Sequence, residues 1–347
     1  MGGATLGRMD RSGERLLREL PAATGQGAGW EELGAEVSRV VASVVPHDGL
    51  RMAGVGPAAG AGPASFSFWH GYEAGFGQAL LSGCYAGDDP FGWEDSARRP
   101  VVVAGEGGRD DVVRRLFAAH GVGGELRVLL RDGRGVWGTL GLIRARGARP
   151  FGERDLADAA RLAPALAAFL RRHVTAGPPA VAAPSPPPGV LVLGPDHGIR
   201  AVTPAALAWR SDLEARLRAP EWTGRTFFAG LSALARTRSE PVLVLGPAAS
   251  YGRWIACQAE RLQDGSGDVA VVIQAATAAQ LLPSFCSWYG MTARERQVVE
   301  HLHSGAAPKN IARRLDLSVH TVNDHLKSVF RKTGAQGRDH LIAAMNG

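Results

Sequence analysis

Residues 308–334 read PKNIARRLDLSVHTVNDHLKSVFRKTG, and the reading of the whole chain turns on them. Pro308 suits the first position of a helix, where its missing N–H is no loss. Ile311, Ala312 and Leu315 then recur at the spacing of one inward helical face. Asp316-Leu317-Ser318 makes a tight turn, and Ser318 is a natural N-cap for a second helix. By its 3.6-residue period that helix divides into a buried stripe of Val322, Leu326, Val329 and Phe330 and an outer face. The outer face carries His320, Asp324, Lys327 and Arg331, with Asn323 on its flank. Such amide, carboxylate, imidazole and cationic groups read base edges or grip phosphates. Just upstream, TARERQVVEHLHSG (292–305) sets Val298, Val299 and Leu302 on one face and stops at Gly305. Short helices joined by a tight turn make a helix-turn-helix. A charged outer face alone is more often merely solvated, and the surrounding pattern is what reverses that reading.

The charge distribution agrees. Of the formal net charge of +6, residues 287–347 supply +4, from nine Lys or Arg against five Asp or Glu. All three lysines, Lys309, Lys327 and Lys332, fall there, in a chain whose other basic residues are arginine. A basic balance permits a nucleic-acid partner. At 347 residues the chain has room for two or three domains, and 45% hydrophobic against 21% charged residues is a globular composition. No window approaches a membrane span and the start has no signal-like apolar run, which implies a cytoplasmic protein with no membrane partner. Cys84, Cys257 and Cys286 are odd in number and widely spaced, so they read as thiols, not as disulfides or metal ligands. No nucleophile elbow, zinc-protease pair or phosphate-binding loop is written, so no catalytic residue, metal or cofactor is expected and the chain reads as a non-enzyme.

Working outward, six prolines in residues 174–189 mark a stiff linker, and a softer one is read at 276–287. Residues 1–28 are left unassigned. Residues 29–173 open with a helical pattern (WEELGAEVSRVVASVV), hold a hairpin about Asp132-Gly133 and end in an amphipathic helix near 153–172, an α+β sheet domain. Residues 190–275 read as strand, turn, two helices and three strands, with Gly265 to Gly267 marking the last turn. The helical domain takes 288–347.

Thr292, Arg294-Glu295-Arg296, Gly305, Lys309, Ile311-Ala312, Leu315, Leu317-Ser318, His320-Thr321-Val322, His325-Leu326-Lys327, Phe330-Arg331-Lys332 and Gly334 together resemble the LuxR-type helix-turn-helix over roughly 60 residues. The resemblance implies a four-helix DNA-binding domain that puts its third helix in the major groove of double-stranded DNA and uses its fourth, near Arg338 to Met345, in a homodimer. It implies groove-facing roles for Asn323, Asp324 and Lys327 and phosphate contacts from Lys309, Ser318, His320, Thr321, Arg331, Lys332 and Arg338. Ala307-Pro308 departs from the family's hydroxyl and asparagine, removing a side-chain cap. Asp324 puts a carboxylate near the groove, where it either accepts from cytosine N4 or repels phosphate.

Upstream, WGTLGLIRARGARPF (137–151) resembles GAF domains, and VLVLGPDHGIRAVTPAALAW (190–209) resembles the opening of a PAS-type domain. The chain thus reads as a transcriptional regulator with GAF-like and PAS-like α+β domains ahead of an all-α reader. A small-molecule effector and RNA polymerase are its further possible partners. Eight aromatics crowd residues 66–93, and Phe68, Trp69, Tyr72, Tyr85, Asp89 and Trp93 are the candidates for an effector pocket. Two alternatives stay open: a sigma-like factor, which would be helical upstream, and a ligand-binding or catalytic protein whose helix-turn-helix serves a protein partner.

Overall fold

The computed structural model describes residues 29–56, 64–86, 100–104, 111–176, 185–218 and 222–345. Segment 1–28 and the middle of the proline-rich linker lie outside these. Two compact units result: residues 29–54, Ser67–Arg172 and Arg218–Thr226 make the first, and Val55–Phe66, His173–Leu217 and Phe227 onward make the second.

The first unit is a five-stranded sheet with helices on both faces. In chain order it runs α1 (Trp30–Ala42), β1 (Gly49–Val55), β2 (Ala64–His70), α2 (Ala74–Ala86), β3 (Val101–Ala104), α3 (Asp111–Ala119), β4 (Val122–Asp132), β5 (Gly135–Ala145) and α4 (Glu153–Val174). The strand order is β2-β1-β5-β4-β3. The expected hairpin is β4 and β5, and its turn is held by the Asp132 carboxylate, which accepts from the Arg134 N–H at 2.8 Å.

Strand alternation sorts the side chains. Leu50 pairs in register with Leu142, and Leu142 with Leu126. With Met52, Val128, Leu130 and Leu140 they form one face, every one of them essentially inaccessible. Helix α4 covers this face, Leu170 standing where a Cβ on Gly138 would go. The other face carries Ile143 and Ala104, packed with Phe76 and Leu80 of α2 and Val113 and Phe117 of α3. Each buried Val, Leu, Ile, Met or Phe side chain here contributes about 1.5–3 kcal/mol. Gly34 of α1 is obligatory for a local reason: a Cβ there would run into the backbone carbonyl of Trp69.

Arg144 locks the start of α4. Its guanidinium donates to both Asp155 oxygens (3.2 and 3.0 Å) and to the carbonyls of Pro46, Arg149 and Pro150, and it lies over the Phe151 ring. Burial alone would raise the Asp155 pKa, but hydrogen bonds from Arg144 and the Gly152 N–H hold it below the usual carboxylate value.

The second unit begins with β6 (Gly189–Leu193), β7 (Ile199–Val202), α5 (Pro204–Leu217), α6 (Trp222–Thr237), β8 (Val242–Gly246), α7 (Ala248–Tyr251), β9 (Ile255–Arg261) and β10 (Val269–Ala275), although the first turn of α6 counts with the first unit. Its sheet is ordered β7-β6-β10-β9-β8, so the positional order of the first sheet recurs. Gly189 has no room for a side chain, because a Cβ would meet the backbone of Ala206 on α5. Gly265 and Gly267 take left-handed φ values of 79° and 72° in the last turn, as glycine alone does freely.

Five helices follow: α8 (Ala278–Trp288), α9 (Ala293–His303), α10 (Pro308–Leu315), α11 (Val319–Thr333) and α12 (Arg338–Met345). Helix α8 corrects the linker expected at 276–287. Thr277 caps it, and Leu281, Phe285 and Trp288 recur on one buried face. Phe285 meets the Trp254 ring edge-on at 6.4 Å.

Candidate functional site

Helix α11 packs against both α9 and α10, and α12 folds back onto α8. Each of these short helices is delimited by its own sequence. Thr292 and Glu295 form a reciprocal capping box at the start of α9, and Gly305 ends it at φ 87°. Helix α10 starts at Pro308 with no side-chain cap on Ala307, as the departure from the LuxR pattern implies, and stops at Asp316, which takes a left-handed φ of 53°. Ser318 caps α11, accepting from the Thr321 N–H at 3.0 Å, and Gly334 closes it.

Inside the fold lie Val298, Val299 and Leu302 of α9, Ile311 and Ala312 of α10, and Val322, Leu326 and Val329 of α11. Leu315 and Phe330, expected inside, are half-buried at the margin. On the opposite side of α11, His320, Asn323, Asp324, Lys327 and Arg331 are exposed together, and Lys309 and Ser318 are exposed beside them. Thr321, with its hydroxyl 2.9 Å from that of Ser318, and Arg338 are half-buried.

Two members of the expected set have internal roles that sequence reading did not supply. Lys332 points inward, its ammonium donating to Glu295 Oε2 at 2.6 Å and to the Gly290 carbonyl at 3.0 Å. Burial by itself would raise the Glu295 pKa; hydrogen bonds from Lys332 and the Thr292 N–H bring it down to about 2. The Thr292-x-x-Glu295 spacing was the available signal for a cap. Asp324, for its part, is not a bare carboxylate. Its oxygens lie 3.3 Å from His320 Nε2 and 3.2 Å from Lys327 Nζ, one turn to either side on the same face.

The aromatic candidates upstream divide. Phe68 points into the core beside Trp30 and Phe169, whereas Trp69 stands edge-on to Tyr72 at 5.1 Å and to Trp222 at 5.0 Å. Successive strand residues face opposite ways, so Phe68 cannot share a pocket with its neighbour. Near Tyr72 lies the fully buried Glu125, ion-paired with Arg127 at 2.7 Å. Burial first, and then the Glu125 charge, push the Tyr72 phenol well above its ordinary value. Tyr85 lies in α2, and Asp89 and Trp93 fall outside the described residues.

Among the described residues no cluster of His, Cys, Asp and Glu could hold a metal ion, and no helix is long and apolar enough to cross a membrane. Burial pushes the Cys257 thiol up to about 12 and that of Cys286 to about 11, which leaves both unreactive.

Residues 290–345 match the family model of bacterial regulatory proteins, luxR family. Over 53 residues the chain is 43% identical to a monoamine regulon transcriptional regulator of Klebsiella aerogenes, a match covering 15% of this chain and 23% of that protein. The chain therefore spans under a quarter of that relative's length. Among solved structures it is similar to Escherichia coli SdiA (12% identity, 95% of each chain, TM-score 0.34). It is also similar to CepR2, an N-acylhomoserine lactone dependent LuxR family transcription factor of Burkholderia cenocepacia (17% identity, 46% of this chain and 96% of that one, TM-score 0.32). The C-terminal domain is thus a LuxR-type helix-turn-helix, preceded by two α+β sheet regions.

Proposed function

We propose that this LuxR-type domain makes the chain a DNA-binding transcriptional regulator, a cytoplasmic, non-enzymatic homodimer that sets α11 into the major groove of promoter DNA. Asn323, Asp324 and Lys327 face base edges, while Lys309, Ser318, His320, Thr321, Arg331 and Arg338 lie toward phosphates. Lys332 acts chiefly from within, holding Glu295. The observation that carries this reading is the division of α11: Val322, Leu326 and Val329 are inaccessible, while the whole polar face opposite is exposed with no helix over it among those that pack on α11.

The upstream sheets are read as GAF-like and PAS-like input domains that bind an effector or hold the dimer together, with Trp69 and Tyr72 the nearest of the aromatic candidates to a polar site. RNA polymerase is the natural recipient of the output. A sigma-like factor is not favoured, since ten strands stand upstream of the helical domain among the described residues.

Selection of bound sites from random DNA by the intact chain tests the reading directly, followed by salt titrations of Lys327→Ala and Arg331→Ala. A phosphate contact removed lowers the salt slope by about 0.9. A base contact removed relaxes preference at one position, at a cost of about 1–3 kcal/mol. No enriched site, or unchanged affinity and slope in both variants, overturns the assignment of this face.

A further inference from the structure

Arg253 sits between α7 and β9 and is 6% exposed. Its Nε and Nη1 are buried with no hydrogen-bond partner, and it has no ion-pair partner among the described residues. A guanidinium keeps its charge when buried, and an interior cation without a counter-charge is among the costliest groups a fold can carry. Arg144 shows how the same chain treats a comparable residue: two carboxylate oxygens and three carbonyls surround it. Among the described residues nothing of the kind reaches Arg253.

What does surround it fits a ligand site. The Arg253 guanidinium lies 5.8 Å from the centroid of the Trp209 ring, a fully buried floor fixed by its own N–H to the Pro187 carbonyl at 3.0 Å. Gly252, the preceding residue, takes φ 74°, and a Cβ there would strike Nη1 of Arg216. A second guanidinium therefore adjoins the same turn. Arg216 is oriented by Asp212, whose oxygens take its Nε at 3.0 and 3.1 Å, and Trp209, Asp212 and Arg216 follow one another along a single face of α5. Two arginines and one carboxylate leave the cluster with one uncompensated positive charge.

We propose that Arg253, with Arg216 beside it, is an oxyanion-binding site of the second unit, taking a compact carboxylate or phosphate group over Trp209. An oxyanion supplies the acceptors the Arg253 N–H groups lack, and the planar fork of a guanidinium matches two oxygens of either group. The slight exposure of Arg253 limits the bound group to a small one. This inference is independent of how the C-terminal helices are used.

The test uses the full chain labelled with ¹⁵N-arginine and titrated separately with inorganic phosphate and with acetate, against chloride at equal ionic strength. The Nε–H resonance absent from an Arg253→Lys sample belongs to Arg253. It should shift saturably with phosphate, with acetate or with both, and the responding anion identifies the group. Calorimetry should show that anion bound about 10- to 100-fold more weakly by Arg253→Met. Phosphate taken up by the basic C-terminal helices serves as the internal control, because it persists in both variants. An Nε–H resonance that neither anion moves beyond the chloride control overturns the proposal. So does equal saturable binding by wild type and Arg253→Lys, or by Arg253→Met where that variant folds.

Discussion

The ammonium of Lys332 lies 2.6 Å from Glu295 Oε2, joining the last turn of α11 to the first turn of α9 across 37 residues of sequence. Glu295 is thereby held at about 2, below its ordinary 4.5, and a carboxylate lowered in this way adds stability that is present above the ordinary value. That stability drains away as pH falls from about 4.5 toward 2, because the unfolded chain takes up the proton first. The full difference is roughly 3 kcal/mol. Acid titration followed by circular dichroism should show the helical signal failing in that window. Lys332→Met, which leaves a buried carboxylate alone, should already lose about 2 kcal/mol at pH 7.

Asp324 is expected to behave differently, since its partners are exposed and such pairs contribute little. Asp324→Asn should alter stability by less than about 0.5 kcal/mol in urea titrations. If the carboxylate accepts from a cytosine amino group, the selected DNA sites should change identity at one position. If it serves only to hold His320 and Lys327 apart from phosphate, Asp324→Ala should strengthen binding uniformly across sequences. The two outcomes separate cleanly in a site-selection experiment.

Asp155 bears on the first unit alone. Its side chain is 5% exposed and that of Arg144 8%. Asp155→Ala would strand the Arg144 guanidinium among backbone carbonyls and should cost about 3–5 kcal/mol, read as a lowered urea midpoint. A cost below 1 kcal/mol would mean that the carbonyls suffice.

His173, near the end of α4, is 6% exposed, and burial lowers its pKa to about 4. The sign follows from proton uptake: between pH 6.5 and 4 the unfolded chain binds a proton that the folded chain refuses. Stability is therefore full above pH 6.5 and falls by roughly 3 kcal/mol on the way to pH 4. His173→Phe should flatten this part of the stability profile while leaving the lower, Glu295-dependent part in place.

The C-terminal helices were legible because everything that shapes them is local. A cap, a left-handed glycine and an apolar residue every three or four positions can all be read within one turn. The β4–β5 hairpin was legible for the same reason, through Asp132. Helix α8 was not, because it lies where a strand-like run gives way to the basic helical segment, while the contact that stabilises it, Phe285 on Trp254, spans distant sequence. The density of aromatics in 66–93 does not show that the alternation of a strand sends Phe68 and Trp69 to opposite faces. No pattern announces that Lys332 will turn inward to Glu295, or that Arg253 will be buried without a partner. Both depend on which elements meet, and spacing carries no record of that.

In each sheet the opening strand lies beside the closing one: β1 pairs with β5, and β6 with β10. During synthesis β1 has only β2 beside it, and the edge that Gly49 presents to Ile143 stays open while nearly a hundred further residues are added. Pairing over such a span carries a loop-closure cost, and a chain cut short before β5 would leave the central position of the sheet vacant for pairing with another molecule.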